Sequence, residues 1–223
     1  VLKKTIEKYF DHAMLYPETT QDDIFRLCGE ARDYEMFGIA INSYWVSDAR
    51  RELEGSDVKI ISVAGFPLSA SRTDIKIAEA VKGVEDGADE IDMVANIGLL
   101  KMGKYRKVEQ EIAEVRKHLP EEILLKVIIE APKLDAQTQI EATKAVINGG
   151  AQFVKTATGF FGGATVEVVR RLFETARGQI KVKASGGIRT LSDTMALIEA
   201  GAERIGSSAS VSIIKEHHAK INV

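Results

Sequence analysis

Short apolar segments rich in β-branched residues alternate with longer amphipathic ones along the whole chain, and Gly or Pro punctuates most of the junctions. The alternation predicts eight strands, at 10–13, 38–42, 59–64, 90–94, 124–129, 153–156, 180–184 and 204–206. Between them a helical period is clearest at 73–85, 104–118, 136–147, 165–176 and 192–199. Ser47, Thr73, Asp135, Thr165 and Ser192 are the residue types that cap helix N-termini. Helix exits recur as Gly87-Ala88, Gly150-Ala151 and Gly201-Ala202, each just ahead of a strand.

No Pro/Ser-rich linker, low-complexity tract or charge block interrupts this series, so residues 1–223 read as one domain. Eight strand-then-helix units in 223 residues leave about 28 residues each, the economical end of a (β/α)8 barrel of the TIM type. The rival α/β architecture, a doubly wound open sheet, needs fewer strands and usually a Gly-rich first turn, and no G-x-G-x-x-G follows an early strand here.

Composition narrows the function classes. Thirty Lys plus Arg against 33 Asp plus Glu give a net charge of −3, too balanced for a chain held to nucleic acid by bulk electrostatics. One cysteine, Cys28, closes no intramolecular disulfide, and four scattered histidines make no Cys/His zinc framework. A reducing, cytoplasmic setting is expected, with no membrane partner, because no apolar run approaches the roughly 20 residues that span a bilayer.

Strand parity changes what the near-neutral charge means. Strand residues that face the helices must be apolar, which turns their alternates into the barrel. Ile180, Val182 and Ala184 face the helices, so Lys181 and Lys183 point inward; the same rule sends Lys126, Ile128 and Glu130 inward, and Glu90 with Asp92. In Phe153-Val154-Lys155 the lysine shares the parity of Phe153, which leaves its direction open. Glu90, Lys126, Lys181 and Arg204 lie early in their strands and read as an ion network plugging the barrel floor. Asp92, Glu130, Lys155 and Lys183 lie late, at the C-terminal mouth where such barrels build active sites.

Two lysines at neighbouring strand ends suggest Schiff-base chemistry: a second cation and desolvation lower the pKa of the first and free its amine to attack a carbonyl. Lys155 and Lys183 supply that pair, although either could simply bind an anion. Asp92 is the best-placed proton carrier, and Asp11 or His12 at the end of the first strand could belong to a relay. Gly186 and Gly187 after strand seven, and Gly206-Ser207-Ser208 after strand eight, stand at the usual phosphate address of these barrels, with Thr158-Gly159 as a third wall.

Val154-Lys155-Thr156-Ala157-Thr158-Gly159-Phe160, Lys183-Ala184-Ser185-Gly186-Gly187-Ile188-Arg189 and Glu90-Ile91-Asp92-Met93-Val94 together resemble the deoxyribose-phosphate aldolase family. Phe10-Asp11-His12 and Lys126-Val127-Ile128-Ile129-Glu130 extend the resemblance over nearly the whole chain. It implies a metal-independent, cofactor-free class I aldolase that reversibly cleaves 2-deoxy-D-ribose 5-phosphate to acetaldehyde and D-glyceraldehyde 3-phosphate. Lys155 would form the Schiff base, Lys183 would perturb its pKa, and Asp92 would activate the water used in proton transfer. The family also suggests a homo-oligomer, a dimer.

The chain departs from the family pattern in several places. Ala13 replaces Thr, Ala131-Pro132-Lys133 follows Glu130, Phe160 stands where some members carry Lys, and Ala209 leaves only Ser208 of a serine pair. The end, Ile221-Asn222-Val223, lacks the Tyr that some members place near the site. Two other readings fit the glycine cradle, a phosphosugar isomerase or epimerase and a non-catalytic phosphosugar-binding barrel. Neither needs two lysines at the mouth.

Overall fold

The computed structural model describes residues 2–221; Asn222 and Val223, and with them part of the C-terminal departure noted above, lie outside the described residues. Eight parallel strands close in sequence order into one barrel: β1 (Phe10–Met14), β2 (Gly38–Ile41), β3 (Lys59–Ala64), β4 (Glu90–Val94), β5 (Leu124–Ile128), β6 (Phe153–Lys155), β7 (Lys181–Ser185) and β8 (Ala202–Ser207). Helices surround it: α1 (Gln21–Asp33), α2 (Val46–Glu52), α3 (Thr73–Glu85), α4 (Ile97–Lys101), α5 (Tyr105–Lys117), α6 (Ala136–Asn148), α7 (Val166–Ala176), α8 (Leu191–Glu199) and α9 (Ser210–Ile221). The described residues form one (β/α)8 barrel. Among the described residues no helix is long and apolar enough to cross a membrane.

Each expected strand is present, its ends moved by at most two residues. The largest change is in β8, which begins at Ala202 because that residue pairs with Val182 across a register irregularity between Val182 and Lys183. Such a shift belongs to the ladder between two strands, and no single segment's composition carries it.

Parity holds in the packing. Ile39, Ile60, Ile91, Leu125, Val127, Val154 and Val182 alternate outward and are buried in the layer between sheet and helices. The open parity of β6 resolves inward: the Phe153 ring lies within 6.0 Å of Lys126 and 5.6 Å of Arg204, with Lys155 two residues on.

Three expected caps move. Thr190, not Ser192, accepts the Asp193 N–H at 3.1 Å and caps α8, because Thr190 alone has the extended backbone an N-cap needs. Thr73 is the first helical residue of α3, behind Arg72, and Ser47 lies inside α2. Asp135 and Thr165 cap α6 and α7 as expected. Helix α1 carries the same amphipathic period: Ile24, Leu27, Cys28 and Ala31 are buried on one face, and Thr20 with Asp23 forms a reciprocal capping box ahead of it.

Candidate active site

Lys155 and Lys183 are register partners on β6 and β7, so parity places both side chains in the barrel and the ladder sets them side by side. Their Nζ atoms converge on one oxygen. Asp92 Oδ2 accepts from Lys155 at 2.8 Å and from Lys183 at 2.7 Å, while its Oδ1 accepts from Lys126 at 2.8 Å. Asp92 reaches this point from β4, where its Cα is paired with that of Lys126.

The network continues downward. Lys126 also pairs with Glu90 at 2.5 Å, Arg204 pairs with Glu90 at 3.3 Å and with Asp11 at 2.7 Å, and Asp11 pairs with Lys183. The expected floor plug therefore forms, with two corrections. Lys181 is not in it: it is the first residue of β7, it is exposed, and it lies 5.8 Å from the Phe153 ring. Asp11, which sequence reasoning assigned only to a possible relay, takes that place between Arg204 and Lys183. His12 has the opposite parity and leaves the barrel to meet Glu30 of α1 at 2.7 Å.

The composition of this cluster decides its chemistry. Four cations, Lys126, Lys155, Lys183 and Arg204, face three carboxylates, Asp11, Glu90 and Asp92. One positive charge is in excess in a space closed to water, and the cation that can most easily discharge it is the one nearest the opening. Burial and the charge of Lys183 lower Lys155 to about 8, against the opposing pull of Asp92. About one Lys155 in ten is then neutral at pH 7, against roughly one in several thousand for an ordinary lysine. Burial alone would raise Asp92, but Lys126, Lys155 and Lys183 outweigh it and hold the carboxyl well below the usual range.

Asp11 behaves likewise: burial opposes ionisation, yet Arg204 and Lys183 bring it down from 3.8 to about 2. A carboxyl depressed on folding stabilises the fold above its unfolded pKa, and that stabilisation is lost as pH falls through the folded value. The melting temperature is accordingly expected to drop between about pH 4 and pH 2 in thermal melts. Replacing Asp11 with Asn should lower stability at neutral pH and flatten that acid dependence. An equally steep acid limb in the variant would remove Asp11 as its source.

Above the lysines opens a cavity of about 280 Å³, and both amines reach its wall. Gly186, Gly187, Gly206, Ser207 and Ser208 line one side, and Thr158 and Gly159 another. Gly186 has φ 92°, and a Cβ there would stand 2.8 Å from the Gly162 oxygen and 2.9 Å from the Gly163 Cα. Glycine lets the turns after β6 and β7 touch, which narrows the cavity to the size of a small ligand. Two helix N-termini, of α8 and α9, begin within a few residues of these glycines and bring positive dipole ends toward them.

The seven residues of the expected cradle thus line one cavity with the two lysines, while Asp92 and Asp11 lie beneath it. Ser207 differs from Ser208 in one respect: its hydroxyl is spent inside the protein, donating to Ile188 O at 2.7 Å and accepting the Ala209 N–H at 2.9 Å. Glu130, expected to point inward with Lys126 and Ile128, does not join the lysines. The backbone turns left-handed at Glu130, φ 51°, and the carboxylate accepts the Thr158 N–H instead. Parity ends where the strand ends.

Sequence reasoning missed Arg189 and the aromatic rim as cavity components. Arg189, the last residue of the motif that opens at Lys183, lines the cavity beside Gly187. Phe160 sits at the mouth with its ring 5.6 Å from Phe66 and 6.2 Å from Tyr16, bringing together three distant positions. It missed as well the buried Lys76–Glu111 pair at 2.8 Å, in which Lys76 also donates to Val94 O at the end of β4. Each lies on a helix, where it reads as an ordinary polar position. Among the described residues no group of three or more His, Cys, Asp and Glu is arranged to hold a metal ion.

Residues 6–215 match the model of the DeoC/LacD family aldolases. A protein of Thermococcus gammatolerans named deoxyribose-phosphate aldolase is 48% identical over 214 residues, covering 94% of this chain and 95% of its own. Among solved structures, the aldolase QR15 superposes with a TM-score of 0.93 at 38% identity, covering 98% of both chains. A deoxyribose phosphate aldolase of Aeropyrum pernix, described as uniquely tetrameric, gives 0.87 at 31% identity, over 96% of this chain and 92% of that one. With the family model covering nearly its whole length and a relative 48% identical over 94% of it, the chain belongs to the DeoC/LacD family of aldolases.

Proposed function

We propose that this enzyme reversibly cleaves 2-deoxy-D-ribose 5-phosphate to acetaldehyde and D-glyceraldehyde 3-phosphate through an imine on Lys155. The observation that carries the reading is the sharing of one Asp92 oxygen by two lysines at the base of a cavity, with Lys155 lowered to about 8. That arrangement supplies a neutral amine where a carbonyl can reach it.

In the cleavage direction neutral Lys155 attacks C1 of the open-chain sugar, and the carbinolamine loses water to give a protonated imine. Removal of the C3 hydroxyl proton then breaks the C2–C3 bond, and its electron pair flows into the iminium to leave an enamine. Glyceraldehyde 3-phosphate departs, C2 takes up a proton, and water hydrolyses the imine to acetaldehyde and free Lys155. Asp92 is the group we assign to moving these protons through water, and Lys183 keeps Lys155 low and can exchange a proton with Asp92. Asp11 holds Lys183 in place from below. Thr158, Gly159, Gly186, Gly187, Gly206, Ser207 and Ser208 would hold the phosphate, the glycines and Ser207 through backbone N–H groups.

Such a reaction needs no partner beyond the phosphorylated sugar and its two aldehydes, and a place in deoxyribose phosphate breakdown in the cytoplasm accords with it. A homo-oligomer is the assembly we favour, a dimer first. The reaction is tested by coupling acetaldehyde release to its reduction. Turnover of the 5-phosphate is expected with kcat/KM at least about 100-fold above that of unphosphorylated 2-deoxyribose, the value of a few charge-assisted hydrogen bonds. No acetaldehyde from the phosphorylated sugar would refute the assignment, and equal kcat/KM for both sugars would refute the phosphate seat.

A further inference from the structure

Glu130 is a fully buried carboxylate that the chemistry above leaves unused. Burial of a charge is costly unless something is gained, and this one forms no ion pair among the described residues. Its partner is a backbone group, the Thr158 N–H, which its two oxygens accept at 3.2 and 3.4 Å. Burial raises Glu130 against the opposing effects of the Thr158 hydroxyl and N–H and of the charges on Lys155 and Lys133.

Thr158 and Gly159 line the cavity, and Thr158 passes the constraint on: its hydroxyl accepts the Phe160 N–H at 3.2 Å. The rest of the turn after β5 grips the same loop. The Ala131 N–H donates to Thr156 O at 2.8 Å, and Lys133 Nζ lies 5.2 Å from the centre of the Phe161 ring. The left-handed backbone at Glu130 is what swings its carboxylate out of the barrel's inward row and onto this loop.

We propose that Glu130 is a positioning residue for the sugar-phosphate side of the site: its carboxylate fixes Thr158, and through it the wall made by Gly159 and Phe160, without contacting the reacting lysine. The proposal rests on the aldolase reading for what fills the cavity. It separates the two halves of the reaction, since acetaldehyde bound to Lys155 needs no such wall and the phosphorylated three-carbon portion does.

Three variants test it. Glu130→Ala removes the acceptor, Glu130→Asp keeps the charge but draws it back by one methylene, and Glu130→Gln keeps an acceptor oxygen at the same reach. Ala and Asp are expected to raise KM for 2-deoxyribose 5-phosphate about tenfold with kcat changed less than about threefold, and Gln to stay within about threefold of wild type. Borohydride trapping of acetaldehyde on Lys155 should be equal in all four proteins. Amide exchange at Thr158 and Phe160 should quicken in Ala and Asp alone. If Ala does not fold, Asp takes its place in each comparison. Unchanged KM in Ala and Asp, a Gln variant as impaired as Ala, or loss of acetaldehyde trapping in the variants would each overturn the proposal. A wild-type protein that traps no acetaldehyde would instead refute the aldolase reading, and the amide exchange would still decide whether Glu130 holds the loop.

Discussion

Replacing Lys155 with Met is expected to lower turnover of 2-deoxyribose 5-phosphate by roughly four orders of magnitude or more, while the barrel stays folded. Activity is lost because the substitution removes the cavity amine that burial and the charge of Lys183 lower to about 8, and Lys126, fully buried beneath the cavity, is raised by Asp92 and Glu90 and cannot replace it. The fold survives because the substitution removes the surplus cation. Lys126, Lys183 and Arg204 then balance Asp11, Glu90 and Asp92, and Met fills the aliphatic length of the lysine. Steady-state kinetics and a thermal melt check both halves. A Met variant with more than about 1% of wild-type turnover would remove Lys155 from the reaction.

Replacing Lys183 with Met is expected to act through Lys155. With the neighbouring cation gone, the pull of Asp92 on Lys155 is no longer opposed by Lys183, and Lys155 should rise from about 8 toward the ordinary lysine value. At pH 7 the neutral fraction, and with it the rate of imine formation, should fall roughly 10- to 100-fold. The sign of the pH dependence distinguishes this from a chemical role. An electrostatic effect is recovered as pH is raised, because Lys155 then loses its proton without help, so the gap to wild type should narrow toward pH 10. A profile of kcat/KM against pH that keeps its alkaline midpoint and loses only amplitude would make Lys183 a proton donor instead.

Much of this arrangement was legible in the chain because a parallel barrel leaves little freedom. Helix-facing positions must be apolar, so Lys126, Lys183, Glu90 and Asp92 had one direction left to point, and they point there. Parity fails where the strand gives way to solvent or to a turn. Lys181 opens β7 and is exposed, and Glu130 turns left-handed just past β5. It is also silent about contacts across the barrel. That Asp11 would replace Lys181 in the floor network depends on Arg204 arriving from β8 in a register shifted against β7. The aromatic rim and the Lys76–Glu111 pair join positions far apart in sequence, where a single chain without its fold carries no signal. Ser207 shows a subtler limit: it lines the cavity, yet its hydroxyl is already used to bind two loops together.

The central claim is that Lys155 forms the covalent bond to substrate. Borohydride reduction in the presence of acetaldehyde, followed by peptide mapping in a mass spectrometer, tests it directly. The account predicts one ethyl group per chain, carried on Lys155 and absent from the Lys155→Met variant. An adduct found on Lys183 alone, or none in enzyme that is turning over, would contradict it.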